Sequence, residues 1–299
     1  MDKKSLISIH IAVLLFGAAG LFAKLIPMSA LLLTMGRALF SAISLYMFIH
    51  FRHYSLKLNS MKDYFWNGLA GIFLTVHWFF FIMSIQVSKV YIGTITVAAY
   101  PIFVIFMEPY LFKEKFQFQN LISVIVICVG IAFLIPSFQL NDSMTLGIFY
   151  GLVSSFAFAA LSIINRRLAS SYNSVIISLY EQTIAAFIMT LVISLIHPTL
   201  GEGSFIDFIN LVIYGVIFTA LAHSLYINGL KDIKAQTASI ISVLEPVYSI
   251  FWALVFLNER LTSQEIIGTI IIILAVMIHI IQNNHHQGEE NNEKISISN

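Results

Sequence analysis

Apolar runs close to 20 residues long, set apart by short charged breaks, restrict this chain more than any other feature. About 20 apolar residues in a helix cross the hydrocarbon core of a bilayer. Lipid offers the backbone no hydrogen-bond partners, so such runs must close their own ladders as helices. The runs fall at 6–25, 29–50, 64–86, 91–111, 118–136, 146–167, 174–196, 206–229, 235–257 and 263–282. Between them lie polar breaks such as "FRHYSLKLNSMKD", "KEKFQFQ", "NRRLASSYN" and "LKDIKA". Only 10% of residues are charged and mean hydropathy is +0.88, where a soluble domain carries about 25% charged residues. The expected class is an all-α membrane protein with ten transmembrane helices. Lys3 and Lys4 precede the first run as in a leader peptide, but the run continues to about residue 26 and reads as the first span.

Charge sets the orientation. With the N-terminus in the cytoplasm, the cytoplasmic segments hold Lys3, Lys4, Arg52, Lys57, Lys62, Lys113, Lys115, Arg166, Arg167, Lys231, Lys234 and Lys294. The other side receives only Lys24, Lys89 and Arg260, and Arg37 lies within a span. That asymmetry follows the positive-inside rule and places both termini in the cytoplasm. An odd number of spans would scramble it.

A shift of 145 residues lays one half of the chain on the other. "YPIFVIFMEPYLFKEKFQFQ" (100–119) falls on "EPVYSIFWALVFLNERLTSQ" (245–264), with Pro101 on Pro246, Glu114 on Glu259, Lys115 on Arg260 and Gln119 on Gln264. Lys89 falls on Lys234 in the same register. Five spans per half is an odd number, so the second half crosses the membrane upside down. The expectation is two inverted five-helix repeats, 1–139 and 140–283, followed by a polar cytoplasmic tail, 284–299, too poor in apolar residues to fold. Inverted repeats are the construction of many secondary transporters, whose site lies near the midplane where the repeats meet.

The ten spans, the two repeats of five, the phrase "LEPVYSIFWALVFLNERLT" and the arginine of "MGRALFSAISLY" (Arg37) resemble the EamA-type branch of the drug/metabolite transporter superfamily. The resemblance covers about residues 6–282. It implies transport of small metabolites across a bacterial inner membrane, with export of amino acids or related compounds as the commonest role. The first repeat departs from the second where Tyr100 stands in place of Glu245 and an additional Glu108-Pro109 follows.

An ionisable group inside a span costs about 2.5–3.5 kcal/mol at mid-depth on insertion scales, and it faces a wet cavity or a partner. Arg37, Glu181 and Glu245 are the candidates here, with His77 and His223 at one helical level of two spans related by the shift. The binding residues expected from the sequence are Arg37, His77, Trp78, Tyr100, Tyr180, Glu181, Glu245, Tyr248 and Trp252. In this set Arg37 grips a carboxylate, Glu181 or Glu245 holds an ammonium or a proton, and the aromatics stack on the substrate. Structural roles stand beside each: an ion pair or outward snorkelling for Arg37, interhelical hydrogen bonds for the histidines, ordinary packing for the aromatics. Glu181, Glu245 and His223 are the candidates for proton coupling. Pro101 and Pro246 remove helical N–H donors and are expected to kink their spans. Glu108, near the inner end of its span, is expected at the interface beside Lys113 or Lys115. Gly147-x-x-x-Gly151 has the spacing of a close helix contact, within the chain or between two copies in a homodimer.

The chain carries no HExxH, GxSxG, Walker A or GxGxxG motif, so neither ATP hydrolysis nor a familiar enzyme chemistry is indicated. With one cysteine, Cys128, no internal disulfide forms, and no cofactor or metal is expected. The net charge of +1 gives no field that would attract nucleic acid. The expected partners are the lipid bilayer and a small-molecule substrate. The reading is a secondary carrier working by alternating access. A permease taking up a nucleoside-like or cofactor substrate and a membrane scaffold without transport are the alternatives.

Overall fold

A computed structural model of the chain describes residues 2–88, 90–113, 116, 118–134, 142–197, 203–257, 263–264, 266–268, 270–275 and 277–278. Among the described residues every regular element is helical. The helices are α1 (Lys3–Leu25), α2 (Ala30–Phe51), α3 (Met61–Val87), α4 (Val90–Val97), α5 (Tyr100–Phe112), α6 (Phe118–Leu134), α7 (Asp142–Ala169), α8 (Ser174–Ile196) and α9 (Phe205–Gly215). A π-helical stretch (Val216–Leu221) then leads into α10 (Ala222–Gly229), α11 (Ala235–Ser242) and α12 (Glu245–Leu257). Among the described residues, seven helical stretches are long and apolar enough to cross a membrane: Lys3–Leu25, Ala30–Phe51, Met61–Val87, Gly93–Phe112, Thr145–Ala169, Ser174–Ile196 and Phe205–Gly229. The motif residues Lys89, Glu114, Lys115, Glu259 and Arg260, and the tail 284–299, lie outside the described residues.

The helix starts follow from residues that can accept the orphan N–H groups of a first turn. Asp2 accepts from the Ser5 N–H, Ser29 from Leu32 and Asn173 from Val175. Ser204 and Asp207 form a reciprocal capping box at α9. At the other ends, Lys113 and His197 turn into the left-handed region (φ 54° and 47°) and stop α5 and α8.

Pro101 and Pro246 do not kink continuous helices, as their positions in the sequence suggest. Each sits in the first turn of a new helix, where a missing N–H costs nothing. The turns at residues 98–99 and 243–244 divide α4 from α5 and α11 from α12. The two interruptions are 145 residues apart. The same shift carries α2 onto 175–196, against α8 at Ser174–Ile196. Packing partners also exchange under it: α3 lies on α7 as α10 lies on α1, α5 lies on α7 as α12 lies on α1, and α2 packs on its own counterpart α8.

Hydrogen bonds gather the connections at two ends of the bundle. At one end the Ser5 hydroxyl donates to Asp232 (2.6 Å), the Asn59 N–H to the Tyr172 hydroxyl (2.8 Å) and the Tyr180 hydroxyl to the Leu56 carbonyl (2.9 Å). At the other end Gln86 donates to the Met28 carbonyl (2.9 Å). Arg52, Lys57, Arg166, Arg167, Lys231 and Lys234 all belong to connections at the first end, and Lys24 lies near the second.

Close packing uses small residues. A Cβ on Gly151 would overlap the Thr96 side chain, and one on Gly147 would overlap Ser88. The Gly147/Gly151 pair therefore seats α7 against α3 and α4 of its own chain, with the Ser84 hydroxyl donating to the Gly147 carbonyl (2.7 Å). Cys128 is exposed on α6.

Candidate functional site

A small cavity of about 30 Å³, walled more by apolar than by polar surface, opens among the central helices. Its wall is Phe16 and Ala19 from α1, Arg37 from α2, His77, Trp78 and Phe81 from α3, Phe158 from α7, His223 from α10 and Glu245 from α12. Five sequence-derived candidates thus meet here: Arg37, His77, Trp78, His223 and Glu245.

Arg37 is 2% exposed and does not snorkel outward. Its guanidinium lies between two aromatic faces, 4.1 Å from the Trp78 ring centre and 4.3 Å from that of Tyr214. Nε donates to Thr219 Oγ1 (3.1 Å) and Nη1 to the Tyr214 hydroxyl (2.7 Å). Its partners in these bonds are neutral, so the charge itself is left uncompensated at contact range. The π-helical stretch makes this cradle possible. Its extra residue per turn carries Thr219 round to bond both Arg37 and the carbonyl of Tyr214 (2.8 Å), five residues back.

Glu245 opens α12, directly after the break. It is 9% exposed and, among the described residues, has no hydrogen-bond or ion-pair partner. A carboxylate so placed has one arginine on the same cavity wall, Arg37.

His77 and His223 are held by different partners. His77 Nδ1 lies 3.1 Å from the Ser154 carbonyl and 2.8 Å from the Ser154 hydroxyl, and that hydroxyl donates to the His77 carbonyl (2.9 Å). Because the Ser154 proton is engaged elsewhere, Nδ1 carries the imidazole proton and Nε2 is the acceptor. The ring stacks on Phe158 at 4.5 Å. His223 Nε2 is 2.6 Å from Glu181 Oε2, both groups being buried. Glu181 Oε1 faces the side-chain amide of Asn165, close enough to interact but without well-formed hydrogen-bond geometry. Glu181 therefore reaches the cavity through His223 rather than lining it.

The other candidates lie elsewhere. Tyr100 stands one layer away, its hydroxyl 3.3 Å from that of Tyr226, which in turn is 3.1 Å from Ser162. Tyr180 is at the end of the bundle against Tyr64 and the Leu56 carbonyl. Tyr248 covers Gly17, and the Trp252 indole donates to the Leu14 carbonyl (3.1 Å), so both knit α12 to α1. Glu108 lies near the end of the bundle, but its cationic partner is Arg166 rather than Lys113. It is fully buried, accepting from Arg166 (2.7 Å) and from the Ala235 and Gln236 N–H groups (2.7 and 2.8 Å), and so caps α11 from another helix.

Sequence reasoning missed Tyr214, Thr219, Ser154 and Asn165. Of these, α7 carried a signal: Ser154, Ser155, Ser162 and Asn165 recur on a helical period inside an apolar run. Tyr214 and Thr219 carried none, because their role depends on the local π-helix.

An all-helical bundle of membrane-length segments around an aromatic-walled cavity that holds an arginine and a carboxylate is an architecture suited to an integral membrane transporter. The model of the EamA-like transporter family matches the chain twice, over residues 3–135 and 145–281. The chain belongs to that family. It is 22% identical to an uncharacterized transporter, YxxF, of Bacillus subtilis (strain 168), over 96% of this chain and 92% of that protein. It is 25% identical to an uncharacterized inner membrane transporter, YicL, of Salmonella typhimurium, over 92% of this chain and 95% of that one. A solved crystal structure superposes with a TM-score of 0.78 at 15% identity, covering 95% of this chain and 99% of the other, a likeness of fold.

Proposed function

We propose that this protein is a secondary carrier of small organic metabolites, amino acids or related compounds foremost, working outward across the bacterial inner membrane by alternating access. The observation that carries the reading is the unpartnered Glu245 on the same cavity wall as Arg37, among Phe16, Trp78, Phe81 and Phe158. Glu245 takes the substrate ammonium, Arg37 faces its carboxylate, and the rings enclose its side chain. Glu245 enters the cavity at the break between α11 and α12, and residues from both halves of the chain line it, which supports a site between repeats.

The architecture belongs to the same proposal: ten transmembrane helices in two inverted five-helix repeats, 1–139 and 140–283, with both termini cytoplasmic. The double match of the family model, the register of 145 residues and the exchange of packing partners support it. The stretches α6, α11–α12 and 263–278 supply the three spans beyond the seven long ones. Proton coupling runs through Glu245 and the Glu181–His223 pair, which can hold a proton on either partner across 2.6 Å.

Counterflow in proteoliposomes tests the function. Vesicles preloaded with single amino acids are expected to drive saturable uptake of the labelled compound, and the E245Q protein to lose it. Absence of saturable flux for amino acids, with flux restored by nucleosides or other flat cofactors, would reassign the substrate. No saturable flux with any class would leave a scaffold.

A further inference from the structure

At the end of the bundle that holds the N-terminus, a second recess opens between the last turn of α7 and the connection from α10 to α11. Its volume is about 370 Å³. Arg166, Arg167, Lys231 and Lys234 converge on it together with Phe112, and none of its lining residues is shared with the central cavity. Among the described residues the one acid in its lining, Asp232, is engaged by the Ser5 hydroxyl at 2.6 Å.

We propose that this recess is a second binding site, for a phosphate-type anion presented by a lipid headgroup or by a soluble phosphorylated compound. The guanidinium groups are oriented before any ligand arrives. Arg166 is tied to the buried Glu108 at 2.7 Å and lies over the Phe112 ring at 4.4 Å, and Arg167 lies over the Trp66 ring at 5.0 Å. Side chains already held in place lose little freedom on binding, and the planar guanidinium matches phosphate oxygens in pairs. The two lysines belong to the connection from α10 to α11 and add point charges on flexible stems. A general bias of basic residues toward one membrane face accounts for their number but not for their convergence. Arg52, Lys57 and Lys62 occupy the same end of the bundle and stand outside the recess.

Thermal unfolding of the full chain in dodecyl maltoside, followed by tryptophan fluorescence, tests the site. One arm titrates inorganic phosphate against sodium chloride at matched ionic strength. The other compares mixed micelles containing phosphatidylglycerol with micelles containing phosphatidylcholine. A saturable rise of the midpoint in at least one arm is expected for the wild type, because a ligand bound only to the folded state raises apparent stability. K231Q/K234Q should raise the half-saturating concentration about thirtyfold, the effect of losing two cationic contacts. K57Q should leave it unchanged. A rise with phosphate alone assigns a soluble ligand, with phosphatidylglycerol alone a lipid, and with both the shared headgroup chemistry. No rise beyond matched salt in either arm overturns the site, as does a rise that K231Q/K234Q retains in full. If that double variant does not purify folded, R167Q is read by the same criterion.

Discussion

Replacing Glu108 by alanine removes the acceptor for three donors at once. The carboxylate is fully buried, and its contacts with Arg166 Nη1, Ala235 N and Gln236 N are all between 2.7 and 2.8 Å. Breaking one partner out of a buried ion pair costs about 3–5 kcal/mol, because the remaining charge stays desolvated. Arg166 keeps 17% exposure, so water recovers part of that for the guanidinium. The two stranded N–H groups at the start of α11 have no such relief, at about 1–3 kcal/mol for each unsatisfied group, not additively. We expect E108A to lose about 3–4 kcal/mol, set chiefly by those stranded groups. An ordinary neutral hydrogen bond between membrane helices averages about 0.6 kcal/mol, so a contact of that kind would give a loss several times smaller. E108Q keeps a two-fold acceptor on one side only and should fall between. Reversible unfolding in mixed dodecyl maltoside–dodecyl sulfate micelles measures the difference. A loss below about 1 kcal/mol in E108A would refute the capping role, since no buried charge pair with two backbone bonds can be that cheap to break.

Other substitutions probe the cavity and the packing. E245Q should abolish substrate-dependent counterflow while costing about 1–2 kcal/mol of stability, because no hydrogen bond is lost but buried Arg37 loses the carboxylate across the cavity. E181Q and H223N should flatten the dependence of flux on pH between pH 6 and 8, with Arg37, His77 and Glu245 as the charged or titratable neighbours around the same cavity. Wild-type pH profiles in both would end the coupling proposal. R37K keeps the charge but cannot reach Thr219 and Tyr214 together or fill the slot between two rings, so a loss of about 1–3 kcal/mol is expected in the same unfolding assay. G151A forces the Thr96 side chain away from the Gly93 carbonyl it bonds and should cost about 1–2 kcal/mol.

Much of this architecture could be read from the residues, and the reason is the solvent. In lipid, hydropathy alone settles element type, so the helix ends agree with the apolar runs within a few residues, as for α8 at Ser174–Ile196. The shift of 145 residues found the interruptions before Tyr100 and Glu245, although as kinks rather than breaks. Arg37, His77, Trp78, His223 and Glu245 stood out because polar groups are rare in such runs, and they do converge. What escaped was anything set by rotation about a helix axis. Tyr180, Tyr248 and Trp252 have the same composition signal as Trp78, yet they point to the bundle end or to α1. Thr219 reaches Arg37 only through a π-helical turn that no local residue type announces. The partners of Glu108 escaped because they are Arg166 and two backbone N–H groups more than a hundred residues away.

The two departures from symmetry between the halves are linked. The shift places Tyr100 opposite Glu245, and Ala253 opposite Glu108, so each half carries one carboxylate where the other has none. Glu108 grips the first N–H groups of α11, and α11 runs down to the break after which Glu245 faces the cavity. The clamp at the end of the bundle therefore fixes the depth and rotation of the segment that presents the free carboxylate. Tyr100, in the equivalent place, is bonded to Tyr226 and closes the layer beneath. A glutamate in place of Tyr100 would be buried one layer from the cavity, beside the Tyr226 hydroxyl and away from Arg37. With one at the break and one at the clamp, each acid has its own cation, Arg37 across the cavity and Arg166 in direct contact. Exchanging the residues tests this division of labour: Y100E should destabilise the fold even in the presence of E245Y, because the Tyr100 environment offers hydroxyl partners and no cation.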